Sequence, residues 1–330
     1  MEGINNMKAS ARANTNIALI KYWGKRDDKL FLPMNSSLSI TLDSFYTETT
    51  VEFKEELNKD IFTLNSSPVD EAESNKVFKF LDKIRQLSHT KMYAVVSSQN
   101  MVPTAAGFAS SASGFAALAA AAAKALSLNI GEKEISILAR QGSGSACRSI
   151  YGGYVEWYKG EMEDGADSHA NQLLTEKDWD ICILSVLVES KQKKISSREG
   201  MKRTVETSPF YLGWLNTVEK DLEKAKAAIR NKDFQSLGEV TEANTLKMHA
   251  TMLGAEPPVL YWQSGTMEVI NHVQALRLSG IKAYFTIDAG PNVKVLCLPE
   301  DETIVKDELI KLPSVKQIIT CHPGPGIRYL

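Results

Sequence analysis

The run at residues 103–114, Pro-Thr-Ala-Ala-Gly-Phe-Ala-Ser-Ser-Ala-Ser-Gly, sets serines 110, 111 and 113 on a backbone with little bulk, and leads straight into the alanine-rich stretch 115–126. The start of a helix offers unpaired N–H groups and the positive end of its dipole, a combination suited to phosphate. Ser110, Ser111 and Ser113 add hydroxyl donors, or oxygen ligands for a phosphate-bound Mg²⁺. The run lacks the Gly-Lys-Ser/Thr ending of a P-loop and the strict spacing of the dinucleotide fingerprint. A plain turn ahead of a well-packed helix is equally consistent with it.

Four other places hold chemistry-bearing side chains. Gly142-Ser143-Gly144-Ser145-Ala146-Cys147-Arg148 joins backbone room, short donors and a guanidinium fork, which suits a carboxylate or phosphate. Lys21, Tyr22, Trp23 and Lys25 gather at the end of a strand pattern. They would hold a polyanion or shift a carboxylate's pKa, or else simply form an edge with snorkelling lysines. Ser197 and Arg198 follow the basic run 191–194; N-capping explains a serine there, and an acidic ligand would explain the arginine. Asp288 lies in the Gly/Pro turn 288–292, where a structural aspartate is common.

These residues need elements to hold them. Apolar alternation predicts strands over 13–22, 37–42, 47–53, 92–97, 153–158 and 181–188. Helical spacing marks 75–87, the 115–126 stretch ending near 129–131, and 132–140. Beyond residue 196 helices dominate, at 198–205, 209–229, 234–252, 265–278 and 304–312. Strands 281–287 and 293–298 flank Asp288, and 315–320 is the last strand. The pattern is α+β in two layered domains, 1–190 and 191–330, the last strand returning to the first.

The whole composition bounds the function. The chain has 330 residues, 43% hydrophobic and 24% charged, with a net charge of −2. That is enough for a sizeable core, and it gives no support for a nucleic-acid or membrane-surface role. The stretch 105–126 contains serines and Lys124, which argues against a membrane span. Cys147, Cys182, Cys297 and Cys321 form no CxxC pair and the five histidines are dispersed, so no zinc site is expected from spacing. Residues 1–10 lack a signal-peptide pattern, which predicts a cytoplasmic protein with reduced thiols.

Together these residues resemble the GHMP kinase superfamily and, within it, the diphosphomevalonate decarboxylase family, nearly end to end. The resemblance rests on Asn16-Ile17-Ala18 through Lys21-Tyr22-Trp23-Gly24-Lys25, on 103–114, on 142–149 and on 286–293. Gly107-Phe108-Ala109-Ser110-Ser111 is closer to the decarboxylase version of the loop than to the general Gly-Leu-Gly-Ser-Ser, with Phe108 where leucine is usual.

The resemblance implies a two-domain GHMP kinase-like fold. Its N-terminal half would be like ribosomal protein S5 domain 2 and its C-terminal half ferredoxin-like, with the active site in the cleft between them. It implies a homodimer and ATP-dependent decarboxylation of (R)-5-diphosphomevalonate to isopentenyl diphosphate, with Mg²⁺. By similarity Asp288 faces the 3-hydroxyl, Lys21 pairs with Asp288, Arg148 holds the C1 carboxylate and Asn16 orders the reacting centre. Tyr22, Lys25, Ser143, Ser145, Ser197 and Arg198 would meet the diphosphate. Ser98, Pro103, Ala105, Gly107, Ala109, Ser110, Ser111 and Ser113 would meet ATP, with Ser111 on the metal. A kinase that stops after phosphorylation, or a silent sensor, would be expected to lack part of the Lys21, Arg148 and Asp288 set, and all three are present.

Overall fold

The computed structural model describes residues 7–101, 110–189 and 194–330. The first half runs β1 (Lys8–Ile20), β2 (Lys25–Asp27), β3 (Leu32–Pro33), β4 (Ser37–Lys54), β5 (Ile61–Leu64), β6 (Ser67–Pro68), α1 (Glu71–Ser88), β7 (Tyr93–Asn100), α2 (Ser110–Ala125), α3 (Glu132–Arg140), a 3-10 turn (Gly144–Ile150), β8 (Tyr154–Trp157) and β9 (Ala170–Leu174). The second half runs β10 (Cys182–Leu187), α4 (Ser197–Thr207), α5 (Tyr211–Asn231), α6 (Phe234–Leu253), α7 (Ser264–Leu278), β11 (Tyr284–Thr286), β12 (Val293–Cys297), α8 (Glu302–Ile310), β13 (Gln317–Cys321) and β14 (Arg328–Tyr329).

The larger sheet has the order β14-β1-β4-β7-β5-β6, with β8 and β9 branching from β4. The smaller one is β11-β12-β10-β13. Hence the chain passes to the second sheet between Leu174 and Cys182, earlier than residue 190. The strand expected at 315–320 is β13 and stays in the second sheet; the return to the first is made by β14, through Ala11↔Tyr329 and Arg12↔Arg328.

β1 and β4 are buried on both faces where they approach the site. Ala116, Ala117 and Ala119–Ala122 of α2 are fully buried with Val51, Phe53, Val96 and α1. Alanine keeps this helix thin enough to lie close on the sheet. The opposite side, with Ile17, Leu38, Ile40 and Leu42, packs with Trp214, Val218, Leu222 and Leu237 of α5 and α6. Helices of the second half thus cover the first sheet, and the end of β1 lies between the two halves.

Two expected strands, 37–42 and 47–53, are one strand. Its pairing with β1 slips between Asn14 and Asn16, and the Asn14 amide fills the irregularity by donating to Leu42 O (2.5 Å) and Asp43 O (3.0 Å). The helix expected to run to 129–131 ends at Ala125, where Ser127 takes a left-handed φ of 51°. The strand expected at 281–287 shrinks to Tyr284–Thr286.

Candidate active site

β1 ends at Ile20, and the next residues turn into a cavity of about 250 Å³. Asn16, Lys21, Tyr22, Lys25, Ser111, Ser143, Ser145, Arg148, Ser197, Arg198 and Asp288 all line it. They arrive from β1, the 3-10 turn, the starts of α2 and α4, and the turn between β11 and β12. Among the described lining residues, Lys21, Lys25, Arg148 and Arg198 stand against one carboxylate, Asp288, so the cavity favours a polyanion.

Lys21 Nζ donates to Asp288 Oδ1 at 2.6 Å and to Ala18 O at 3.0 Å. Its backbone N–H donates to Asn244 Oδ1 at 2.9 Å. The Lys21 side chain is buried, whereas that of Asp288 is 40% exposed, open to the cavity it lines. Burial opposes ionisation of Asp288, but the charges of Lys21, Lys294 and Arg148 overcome it and hold its pKa below the usual carboxylate value. Burial lowers the pKa of Lys21, against the pull of Asp288.

Arg148 is 3% exposed. Its Nη1 donates to Ser37 Oγ at 2.8 Å, and its Nη2 and Nε to Asn16 Oδ1 at 3.0 and 3.3 Å. The Asn16 amide is oriented for this because its Nδ2 donates to Ser145 O (3.0 Å) and Ser149 Oγ (2.8 Å). Among the described residues, no carboxylate forms an ion pair with this guanidinium. A buried cation with only neutral partners is costly unless an anion joins it. Tyr22 adds a buried hydroxyl with no partner among the described residues, its ring edge-on to Trp157 at 4.7 Å. Burial raises its pKa, so it stays a donor. Gly144 makes room here, since a Cβ would lie 3.0 Å from the Tyr22 hydroxyl and 2.9 Å from Trp157.

A second cavity of about 170 Å³ lies beside the first, and Ser111 lines both. Its walls include Phe62, Leu64, Val77, Val96, Phe115 and Leu118, with Ser98 and Ser110 among its polar groups. Such walls suit a flat heteroaromatic ring next to charged groups. The Ser143 and Ser111 hydroxyls are 3.3 Å apart, linking the 3-10 turn to the start of α2.

One expected contact needs correction. Ser113 is fully buried and lines neither cavity; its hydroxyl bonds Thr47 Oγ1 (2.8 Å) and Thr15 Oγ1 (3.3 Å), tying α2 to the sheet. Lys25 lines the first cavity, and its ammonium also donates to Asp28 Oδ1 at 2.9 Å. The expected contacts Pro103, Ala105, Gly107 and Ala109 lie outside the described residues.

The family models add an independent observation. The diphosphomevalonate decarboxylase-like N-terminal domain matches residues 13–170, and the mevalonate 5-diphosphate decarboxylase C-terminal domain matches 183–326. The chain belongs to the diphosphomevalonate decarboxylase family. It is 41% identical over 326 residues to the diphosphomevalonate decarboxylase of Ganoderma lucidum, covering 92% of this chain and 81% of that one. The mevalonate diphosphate decarboxylase of Staphylococcus aureus superposes with a TM-score of 0.93 at 46% identity over 98% of both chains. A structure described as MDDEF in complex with MVAPP, AMPPCP and magnesium gives 0.92 at 50% identity, also over 98% of both.

Reading the sequence for this family's motifs misses residues that the fold brings in. Lys294 is 1% exposed and its charge bears on Asp288. Its signal was a lysine inside the otherwise apolar strand Val293–Cys297. His249, on α6, donates Nε2–H to Ile287 O at 3.2 Å, next to Asp288. Burial brings its pKa down to about 3, so it is neutral. Nothing local in the helix sequence marks it, because its partner lies 38 residues away.

Proposed function

We propose that this diphosphomevalonate decarboxylase family member converts (R)-5-diphosphomevalonate and ATP to isopentenyl diphosphate, ADP, phosphate and CO₂. One observation carries the reading. The Lys21–Asp288 pair and the buried, anion-seeking Arg148 share a cationic cavity that meets an apolar-walled one at Ser111. ATP would lie with its base in the second cavity and its γ-phosphate at the junction, near Ser110 and Ser111, with Ser98 on the wall.

Arg148 would hold the C1 carboxylate in its fork, steadied by Asn16. Tyr22, Lys25, Ser143, Ser145, Ser197 and Arg198 would surround the diphosphate. Ser111 provides a hard oxygen at the junction, which fits Mg²⁺ carried mainly by phosphate oxygens. Mg²⁺ bound there would supply positive charge against the phosphate oxygens.

Asp288 would orient the 3-hydroxyl and take its proton as the new O–P bond forms. Being held ionised, it is a weak base, and the transfer comes late. In the second step the C3–O bond breaks and phosphate leaves with its electron pair. The C1–C2 pair then forms the C2=C3 double bond as CO₂ departs. Positive charge building at C3 would face the Asp288 carboxylate. Exposed Phe210, Leu212, Leu253 and Leu260 support a homodimer. Four free cysteines support a cytoplasmic setting. Among the described residues no helix is long and apolar enough to cross a membrane.

The test follows ADP, phosphate and CO₂ together, with (R)-5-diphosphomevalonate, ATP and Mg²⁺. Equal release of all three is expected. ADP without CO₂ would mean a kinase that stops at the phosphate ester, and binding without ADP would mean a sensor.

A further inference from the structure

Away from the cavity, the second sheet brings three different donors together. Cys182 of β10, Glu302 at the start of α8 and His322 just past β13 have ligand atoms all within 4.8 Å of one another. Cys182 Sγ lies 3.6 Å from Glu302 Oε2 and 4.0 Å from His322 Nδ1. Tetrahedral zinc, with its usual bond lengths, separates a sulfur from an oxygen or nitrogen ligand by about 3.6 Å. The sulfur–oxygen edge thus matches, the sulfur–nitrogen edge needs a shift of about 0.4 Å, and the carboxylate and imidazole, within 4.8 Å of each other, close on the ion by side-chain rotation.

We infer that Cys182, Glu302 and His322 bind a borderline-soft divalent cation of the zinc class. The surroundings support such a site. The Thr320 hydroxyl donates to Glu302 Oε1 at 3.0 Å, leaving Oε2 toward Cys182. Lys306 bonds that same hydroxyl at 3.2 Å rather than the carboxylate. Cys297 stands directly across from Cys182 in the β10–β12 register, a second sulfur beside the first. Asp180 is 3.0 Å from His322 Nδ1; it gives up this contact when the nitrogen turns to a metal, and its carboxylate becomes a further oxygen donor. His322 is about one-third exposed, which provides an entry path. Spacing had argued against any zinc site, because these donors come from three distant segments that only the fold assembles.

The site has a structural consequence. His322 opens the His-Pro-Gly-Pro-Gly turn that carries the chain from the second sheet onto the first. There His322 O accepts from Asp43 N–H (3.0 Å), and Gly324 N–H donates to Thr41 O (2.7 Å). A bound ion fastens β10 and α8 to this crossing segment, so it stabilises the fold rather than taking part in the reaction.

The full-length protein, freed of metal with a chelator and kept without nucleotide, is titrated with Zn²⁺ and separately with Co²⁺. One zinc per chain at micromolar affinity or tighter is expected. So are a near-ultraviolet thiolate-to-cobalt band and a rise in Tm with zinc. His322→Asn and Glu302→Gln should each weaken zinc by at least about tenfold and reduce the Tm rise. Cys182→Ser should lose the cobalt band; should that variant not fold, the part-exposed His322→Asn decides. Absence of stoichiometric zinc at micromolar concentrations overturns the inference. So does zinc affinity unchanged in His322→Asn, or a cobalt band that survives in Cys182→Ser.

Discussion

Arg148 shows how one side chain carries chemical information at the residue scale. It is buried and charged, and among the described residues it hydrogen-bonds to Asn16 and Ser37 alone. A lysine there has a point charge and cannot span Asn16, Ser37 and a carboxylate at once. Arg148→Lys should therefore lower kcat/KM for diphosphomevalonate by about 10²-fold, or about 3 kcal/mol, in steady-state assays. Wild-type kcat/KM in this variant would remove Arg148 from carboxylate binding. Of the three residues that meet in the cavity, only Arg148 sits in a motif that by itself points to an anion; Lys21 and Asp288 read as an edge lysine and a turn aspartate until the family resemblance joins them. Ser113 misled, since a serine one turn into a helix points into the protein as readily as toward a ligand. Lys294 acts on Asp288 and His249 bonds the carbonyl before it from other elements, and short-range spacing does not report such approaches.

At the scale of elements, the long amphipathic helices and the apolar strands were readable from periodicity. The short strands β2, β3, β6 and β14 were not, because two or three residues hold no period. The single long β4 was also hidden, since its irregular middle, plugged by Asn14, reads as a break. The His322–Gly326 turn had no role in the sequence. In the fold it crosses the end of the first sheet so closely that a Cβ at Gly324 would sit 2.4 Å from Asp43 N and from Leu42 C. Backbone atoms cannot rotate away. Gly324→Ala should cost about 2 kcal/mol or more of stability, read as a lower urea midpoint. An unchanged midpoint would show that this crossing tolerates bulk and does not hold the two sheets together.

At the scale of the whole molecule, the site exists because helices of one half cover the sheet of the other. Composition and periodicity pointed only to α+β layers; the GHMP kinase-like arrangement came from motif resemblance, and the point where the chain changes sheets was misplaced. His249 lies in this shared interior. Its unfolded pKa is 6.5 and burial brings the folded value to about 3. Below pH 6.5 the unfolded chain takes up a proton that the folded one refuses, so stability falls with pH through that window. The slope from this group is about 1.4 kcal/mol per pH unit. His249→Gln should flatten the dependence of unfolding free energy on pH by that amount, measured by urea titrations across the window. Parallel curves would show that His249 is protonated in the fold.

Asp288, held ionised by Lys21, acts on the reacting hydroxyl rather than on ligand binding. The decisive variant is Asp288→Asn, measured for three-product turnover and, by calorimetry, for diphosphomevalonate affinity. The expected result is a loss of at least about 10³-fold in kcat with affinity changed by no more than about threefold. A kcat close to wild type would remove Asp288 from the reacting centre.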